Sequence, residues 1–205
     1  MAETIALVDY GAGNLHSVHN ALKAVGAQVC VTAKPEQVQT ADRIVLPGVG
    51  SFKACAHGLN SIPGMVEVMS ERVRDDGTPF LGICVGMQLL ATRGLEHGAT
   101  SGLDWVPGDV RLIEQDDLTI KVPHMGWNDV SLAKEHAVLD AGEAYFLHSY
   151  HFAAKDPAHI AAVTDHGAEY VAAVALDNIL GVQFHPEKSQ AFGLSLLSRF
   201  LEWKP

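Results

Sequence analysis

The sequence predicts an α/β fold, an open and mostly parallel sheet with helices on both faces and added antiparallel strands. Three observations carry this expectation. Short apolar runs alternate with stretches of helical periodicity in the N-terminal half, glycine-rich turns come directly after the apolar runs, and beyond residue 104 the texture changes to short β-rich pieces separated by Gly, Pro and Asp.

The apolar run at 5–9 reads as a strand that ends in Tyr10-Gly11-Ala12-Gly13, after which Leu15, Val18, Leu22 and Val25 recur at helical spacing. Further strands are expected near 28–32, 43–46 and 80–83, with a helix near 63–74 between the last two. Strands alternating with helices imply a parallel core. The pieces at 106–113, 119–122, 128–131 and 143–148 read as antiparallel strands added to that core. Strands near 160–164, 170–176 and 179–184 precede a helix carrying Phe192, Leu196, Leu197, Phe200 and Leu201. Neither a Pro/Ser-rich stretch nor a charge block offers a linker, so a single domain over 1–205 is expected.

Composition narrows the function classes. At 48% hydrophobic and 19% charged residues the chain has ample material for a core and is too apolar for a disordered segment. The net charge is -10 and the 14 basic residues are scattered, which leaves no Lys/Arg stripe to neutralise nucleic-acid phosphates. Apolar stretches such as 160–174 are broken by Asp165, His166 and Glu169 before the roughly 18 to 20 residues that a membrane span requires. The start of the chain lacks the basic and apolar regions of a signal peptide, so a cytoplasmic location is expected. Cys30, Cys55 and Cys84 are odd in number and far apart, matching neither a disulfide framework nor a CxxC metal pattern. No metal and no cofactor is expected.

The densest chemical signal is Gly82-Ile83-Cys84-Val85-Gly86-Met87-Gln88, which ends an apolar strand and opens a helical pattern. This is the layout of a nucleophile elbow. Small residues on both sides of the cysteine permit the tight strand-to-helix turn, and the helix then points its N-terminal amides at the sulfur. Most lone cysteines of this kind are small buried hydrophobes, and the flanking glycines favour the reactive reading. A base is offered by His185 in Phe184-His185-Pro186-Glu187, where Pro186 biases His185 to an extended conformation and Glu187 projects to the same side to hold the imidazole tautomer. Alone, a His-x-Glu at a strand end is ordinary; beside a cysteine elbow it completes a nucleophile, base and carboxylate. Of the other histidines only His148 is worth keeping in view. Backbone donors for an oxyanion come from the strip Pro47-Gly48-Val49-Gly50-Ser51-Phe52, at Val49 and Gly50, and from Val85 after the nucleophile. The strip lacks the third glycine of a dinucleotide fingerprint and the Gly-Lys-Ser/Thr of a P-loop, and after Gly11-x-Gly13 the third glycine's place is taken by His16, so nucleotide binding is not expected.

With these residues in place the chain resembles the class I, triad-type glutamine amidotransferases over its whole length. The likeness is strongest to the glutaminase subunits of imidazole glycerol phosphate synthases, on Asp9-Tyr10-Gly11-Ala12-Gly13-Asn14-Leu15, the Pro-Gly-Val-Gly strip and Pro123-His124-Met125-Gly126-Trp127-Asn128. Related anthranilate, aminodeoxychorismate, carbamoyl phosphate and GMP synthases carry a Pro-Gly-Gly strip, whereas Val49 here separates Gly48 from Gly50. The resemblance implies a flavodoxin-like sheet and a glutaminase in which Cys84 attacks the glutamine side-chain amide, His185 moves the proton and Glu187 orients His185. By the same likeness Gln88 and Glu96 bind the amino and carboxylate end of glutamine, with Ser149 and Tyr150 lining that pocket. It implies a separate partner, a (β/α)8-barrel cyclase subunit that consumes the ammonia, forms a heterodimer with this chain and faces Pro123, Trp127, Asn128 and Lys188. It also implies weak activity without that partner, because the Pro-Gly-Val-Gly strip must flip an amide to complete the oxyanion hole. The competing readings are an amidotransferase subunit of another synthase, a cysteine-elbow hydrolase of the DJ-1/PfpI type and a non-catalytic binding module.

Overall fold

Val, Ile and Leu fill the first strand, Thr4–Val8 (β1), and a computed structural model of the chain, describing residues 3–114 and 120–205, shows what these runs build. The N-terminal part continues through Leu15–Ala24 (α1), Gln28–Thr32 (β2), Pro35–Gln39 (α2), Arg43–Leu46 (β3), Phe52–Asn60 (α3), Met65–Ser70 (α4, prolonged by a wide turn at Glu71–Asp75) and Phe80–Ile83 (β4). Val85–Gln88 (α5) is next, then Arg93–Gly94 (β5), Thr100–Ser101 (β6), Gly108–Leu112 (β7), His124–Leu132 (β8), Gly142–His148 (β9) and Tyr150–Ala154 (β10). Ile160–Asp165 (β11), Glu169–Leu176 (β12), Ile179–Val182 (β13) and Gln190–Glu202 (α6) complete the chain.

Among the described residues nine strands form the main sheet in the order β2-β1-β3-β4-β13-β12-β11-β8-β9. The pairings from β2 through β13 are parallel, with β13 as the fifth parallel strand, which gives the flavodoxin-type order. From β13 onward each neighbour is antiparallel. β3, β4 and β13 are buried at every position, as strands covered on both faces must be, so they contain only apolar residues, glycine and Arg43. Arg43 survives there because its guanidinium reaches Glu3 and the carbonyl of Trp203. Helix α1 packs with α6, and α4 with α2 and α3. Their inward faces, Val18 and Leu22 of α1 or Leu196, Leu197 and Phe200 of α6, join the strands in one continuous apolar core.

Helices α2 and α3 and the strands β5, β6 and β10 were not expected, and three expected elements take another form. β7 does not extend the main sheet: it belongs to a separate four-stranded sheet, β10-β7-β5-β6, with Phe152 and Val110 as a register pair. Alternating apolar residues mark a strand without naming the sheet it joins. The helix after Cys84 is a single turn, because the carbonyls of Leu89, Leu90 and Ala91 accept from the amides of Leu103, Trp105 and Val106, and Asp104 rather than from a next helical turn. Of the strand expected at 119–122, Thr119 lies outside the described residues, and 120–122 form none, since Pro123 offers no ladder donor and β8 starts only at His124. No helix among the described residues is long and apolar enough to cross a membrane.

Candidate active site

Three adjacent parallel strands, β3, β4 and β13, end at the same edge of the sheet, with Leu46, Gly82 and Gly181 in one register row. Each runs on into a segment marked in the sequence: β3 into the glycine strip, β4 into Cys84 and β13 into His185. This is where an open α/β sheet presents ligand sites. Cys84 adopts φ 55° and ψ -112°, a conformation L-residues resist at a cost of about 1–3 kcal/mol, and the backbone there turns from strand to helix within one residue. Gly86 makes that turn possible, because a Cβ at this position would lie 1.9 Å from the Leu46 carbonyl oxygen.

His185 and Glu187 form an almost fully enclosed pair, with side chains 3% and 1% exposed and Nδ1 of His185 2.9 Å from Oε1 of Glu187. The carboxylate can only accept, so Nδ1 carries the proton and Nε2 is left for the sulfur of Cys84. Burial works against an imidazolium here, yet the hydrogen bonds to Cys84 and to Glu187 outweigh it and raise His185 to about 10. Pro186 fixes the chain between the two, and Ser189 locks the turn by donating its hydroxyl to the His185 carbonyl at 2.6 Å.

The strip is held rather than loose. The Tyr10 hydroxyl donates to the Pro47 carbonyl at 2.6 Å, and the Cys55 thiol reaches the Val49 carbonyl at 3.4 Å. Gly50 has φ 98°, open to glycine alone among common residues. The Gly48 carbonyl faces the Val85 amide at 3.4 Å, so the Val85 N–H expected to meet an oxyanion is engaged within the protein, and the Gly48–Val49 peptide turns its own N–H the opposite way.

A pocket opens beside Cys84 and His185 and is lined by Val49, Gly50, Val85, Gln88, Glu96, Ser149, Tyr150 and Lys188. The expected nucleophile, base, oxyanion and glutamine-pocket residues thus share one cavity, except Glu187, which stands behind His185. Both protons of the Gln88 amide nitrogen are committed, to the Tyr150 carbonyl and to Oε1 of Gln183, each at 3.0 Å, so its oxygen is the atom left for a ligand. One oxygen of Glu96 accepts from the Phe52 amide at the start of α3, and the residue still borders the cavity. Among the expected partner-facing residues only Lys188 lines the pocket. Trp127, 47% exposed, stands on β8 beside Met125, which is 65% exposed, so a core role for the tryptophan is ruled out. Pro123 is exposed and Asn128 half-buried. Sequence reading missed Gln183, fully buried, whose amide donates toward the Cys84 sulfur at 3.7 Å, and His124. The even spacing of Gln183 and His185 along an extended segment is the signal that was available for the first. His148, kept in view, does border the pocket. Among the described residues no group of three His, Cys, Asp or Glu side chains is placed to hold a metal ion.

Comparison with known proteins places this geometry. The family described as glutamine amidotransferase class-I matches residues 6–203. A protein of Zymomonas mobilis named imidazole glycerol phosphate synthase subunit HisH is 55% identical, with 100% of this chain and 98% of that protein covered. One of the same name from Rhodopseudomonas palustris is 50% identical over 98% of this chain and all of its own length. Among solved structures, one described as a glutamine amidotransferase superposes with a TM-score of 0.76 at 18% identity, covering 96% of this chain and 97% of its own, and PurLQS from Thermotoga maritima with 0.73 at 16%, covering 98% and 99%. These distant structures share the fold. The family match and the full-length relatives together establish that the chain belongs to the class-I glutamine amidotransferases, in the group of imidazole glycerol phosphate synthase HisH subunits.

Proposed function

We propose that this chain is the glutaminase subunit of an imidazole glycerol phosphate synthase, hydrolysing glutamine to glutamate and ammonia and passing the ammonia to a cyclase subunit in histidine biosynthesis. The observation that carries the reading is the shared pocket in which Cys84, the His185–Glu187 pair and the free oxygen of Gln88 converge. Cys84 Sγ attacks the side-chain amide carbon, its proton already held on Nε2 of His185, which the bonds to Cys84 and Glu187 keep protonated. The tetrahedral intermediate then expels ammonia, which takes that proton, and leaves a glutamyl thioester. Water, deprotonated by His185, attacks the thioester and releases glutamate and the thiol. Glu187 keeps Nδ1 protonated and stabilises the imidazolium at each stage. Gln88 and Glu96 take the α-ammonium end of glutamine, one through its free amide oxygen and the other through charge, with Ser149 and Tyr150 closing that end.

The oxyanion hole is the one part not prepared. A single flip of the Gly48–Val49 peptide withdraws the Gly48 carbonyl from the Val85 amide and turns the Val49 N–H inward, which creates two donors at once. The open position of Gly50 gives the strip room to do this. A partner that triggers the flip prevents glutamine from being spent without a consumer for the ammonia. The apolar face of Met125, Trp127 and Leu147 beside the pocket mouth suits a (β/α)8-barrel cyclase partner, with Pro123 and Lys188 around it and a heterodimer in the cytoplasm as the working form, whereas Asn128, expected on that face, turns inward to His124 and the Asp165 carbonyl.

The test is glutamate release by the purified chain and its Cys84→Ala variant, each with and without an imidazole glycerol phosphate synthase cyclase subunit and its nucleotide ligand. Turnover that rises with the partner and vanishes in the variant supports the assignment. A steady-state rate unchanged by the partner refutes the gate, and no glutamate from folded protein under any condition refutes the enzyme.

A further inference from the structure

Behind the exposed face of β8 and β9 runs a line of polar side chains that the glutaminase chemistry does not use. His124 and His148 are register partners across these strands, both buried, with Nδ1 of His124 3.1 Å from Nε2 of His148. Side chains alternate along β8, so His124 and Asn128 face inward while Met125 and Trp127 face solvent. The Asn128 amide nitrogen lies 2.7 Å from the Asp165 carbonyl and 3.0 Å from Nε2 of His124, and its oxygen accepts from the Asp129 amide. At the other end Nδ1 of His148 lies 2.9 Å from the Tyr150 carbonyl.

The direction of every bond is set by the two ends. A carbonyl cannot donate, so His148 carries its proton on Nδ1 and accepts at Nε2. The asparagine nitrogen cannot accept, so His124 accepts at Nε2 and donates from Nδ1. The two deductions meet in the middle with one proton between the rings and both imidazoles neutral. Burial agrees, lowering His124 to about 4, with His166 adding to the effect, and His148 to about 3 against the opposing bond to Tyr150. His124 is also stacked between Phe146, at 4.6 Å, and His166, at 4.1 Å, and cannot swing aside. Beyond Tyr150 the line continues, because the same carbonyl accepts from Gln88, Gln88 donates to Gln183, and Gln183 donates toward Cys84.

We propose that His124 and His148 are positioning residues, a relay donating from Asn128 to the Tyr150 carbonyl that ties the partner-facing strand β8 to the floor of the glutamine pocket, so that a protein seated on Met125 and Trp127 adjusts Tyr150, Gln88 and the sulfur together. The proposal rests on the glutaminase reading and on a partner at this face. Its physical basis is that a buried hydrogen-bonded network moves as a unit, since breaking any link strands a polar group away from water.

Two measurements test it. In ¹⁵N-histidine spectra of the wild-type chain, with resonances assigned through the backbone, both His124 and His148 should be neutral Nδ1–H tautomers at pH 7. An Nε2–H tautomer at either overturns the relay, whatever the enzyme does. In kinetics, His124→Phe keeps the ring stack and removes both bonds. With the cyclase subunit at saturation its stimulation of glutamate release should fall at least tenfold, while partner-free turnover stays within twofold of wild type and partner affinity within threefold. Full stimulation in that variant overturns the relay. Absence of glutamate release from the wild-type complex would remove the glutaminase reading instead, and the tautomer result would still decide the network.

Discussion

Replacing Glu187 by Gln changes one atom of a side chain that is 1% exposed, and both orientations of the new amide are unfavourable. If the amide oxygen faces Nδ1 of His185, the tautomer is kept, the charge is lost and the amide nitrogen goes where Oε2 of Glu187 is buried with no partner. If the nitrogen faces Nδ1, the imidazole must carry its proton on Nε2 and can no longer take one from Cys84. A hydrogen bond to a charged group contributes about 1.5–3 kcal/mol, which corresponds to a fall in kcat of roughly 10- to 150-fold. Because the glutamine pocket is untouched, KM should stay within about threefold. The pH profile supplies a second sign. Glu187 is one of the groups holding His185 near 10, so without its charge the imidazolium loses its proton at lower pH and the alkaline limb of the rate profile moves down. The assay is steady-state glutamate release across pH by the partner-activated chain. A variant that keeps kcat within twofold and an unmoved alkaline limb would show that Glu187 does not orient or charge His185.

Other perturbations have equally definite outcomes. Cys84→Gly should be more stable than Cys84→Ala by about 1 kcal/mol in urea unfolding, since only glycine accepts φ 55° without strain; equal midpoints would remove the strain argument. Gly86→Ala should lose most glutaminase activity and about 2 kcal/mol or more of stability, because its methyl group would lie 1.9 Å from the Leu46 carbonyl, and wild-type thermal stability would contradict the packing described. Folding stability should rise with pH between about 4 and 6.5, because the unfolded chain binds protons that buried His124 and His148 refuse, by up to about 1.4 kcal/mol per pH unit for each. His185 acts in the opposite sense, binding a proton in the folded state up to about 10, so its contribution is lost as pH rises from about 6.5 through 10; urea midpoints from pH 4 to 10 that show no maximum near neutrality would refute both assignments. Trp127→Ala should leave unfolding within about 0.5 kcal/mol, as expected of an exposed side chain, and weaken partner binding more than tenfold in a titration.

What the sequence disclosed and what it withheld divide along the range of the interactions. Cys84, His185 and the glycine strip are marked by local backbone requirements: glycines that admit a sharp turn, a proline that fixes an extended histidine, a glycine pair directly after a strand. Those requirements are met within a few residues and are visible there. Helix α3 carries local marks too, Ser51 as its cap and Phe52, Cys55, Ala56 and Leu59 on one face, yet the sequence expectation rests on the glycine strip before it alone and places no helix there. Gln183 and the His124–His148 pair belong to another kind. Gln183 matters because β13 lies beside β4, and the two histidines meet because β8 and β9 pair in one register, facts set by contacts remote in sequence. The single turn of α5 was hidden for the same reason, since its periodicity continues while distant amides at 103–106 take its carbonyls.

The strand that brings the base to the nucleophile is the last of the sheet to be synthesised. Cys84 and the glycine strip are in place once β3 and β4 exist, whereas His185 arrives only when Ile179–Val182 inserts between β4 and β12. A chain emerging from the ribosome therefore carries an unarmed thiol while residues 85–187 are added, and any truncation short of residue 187 leaves it so. Glutamine is protected from a half-made enzyme by the order of the strands alone.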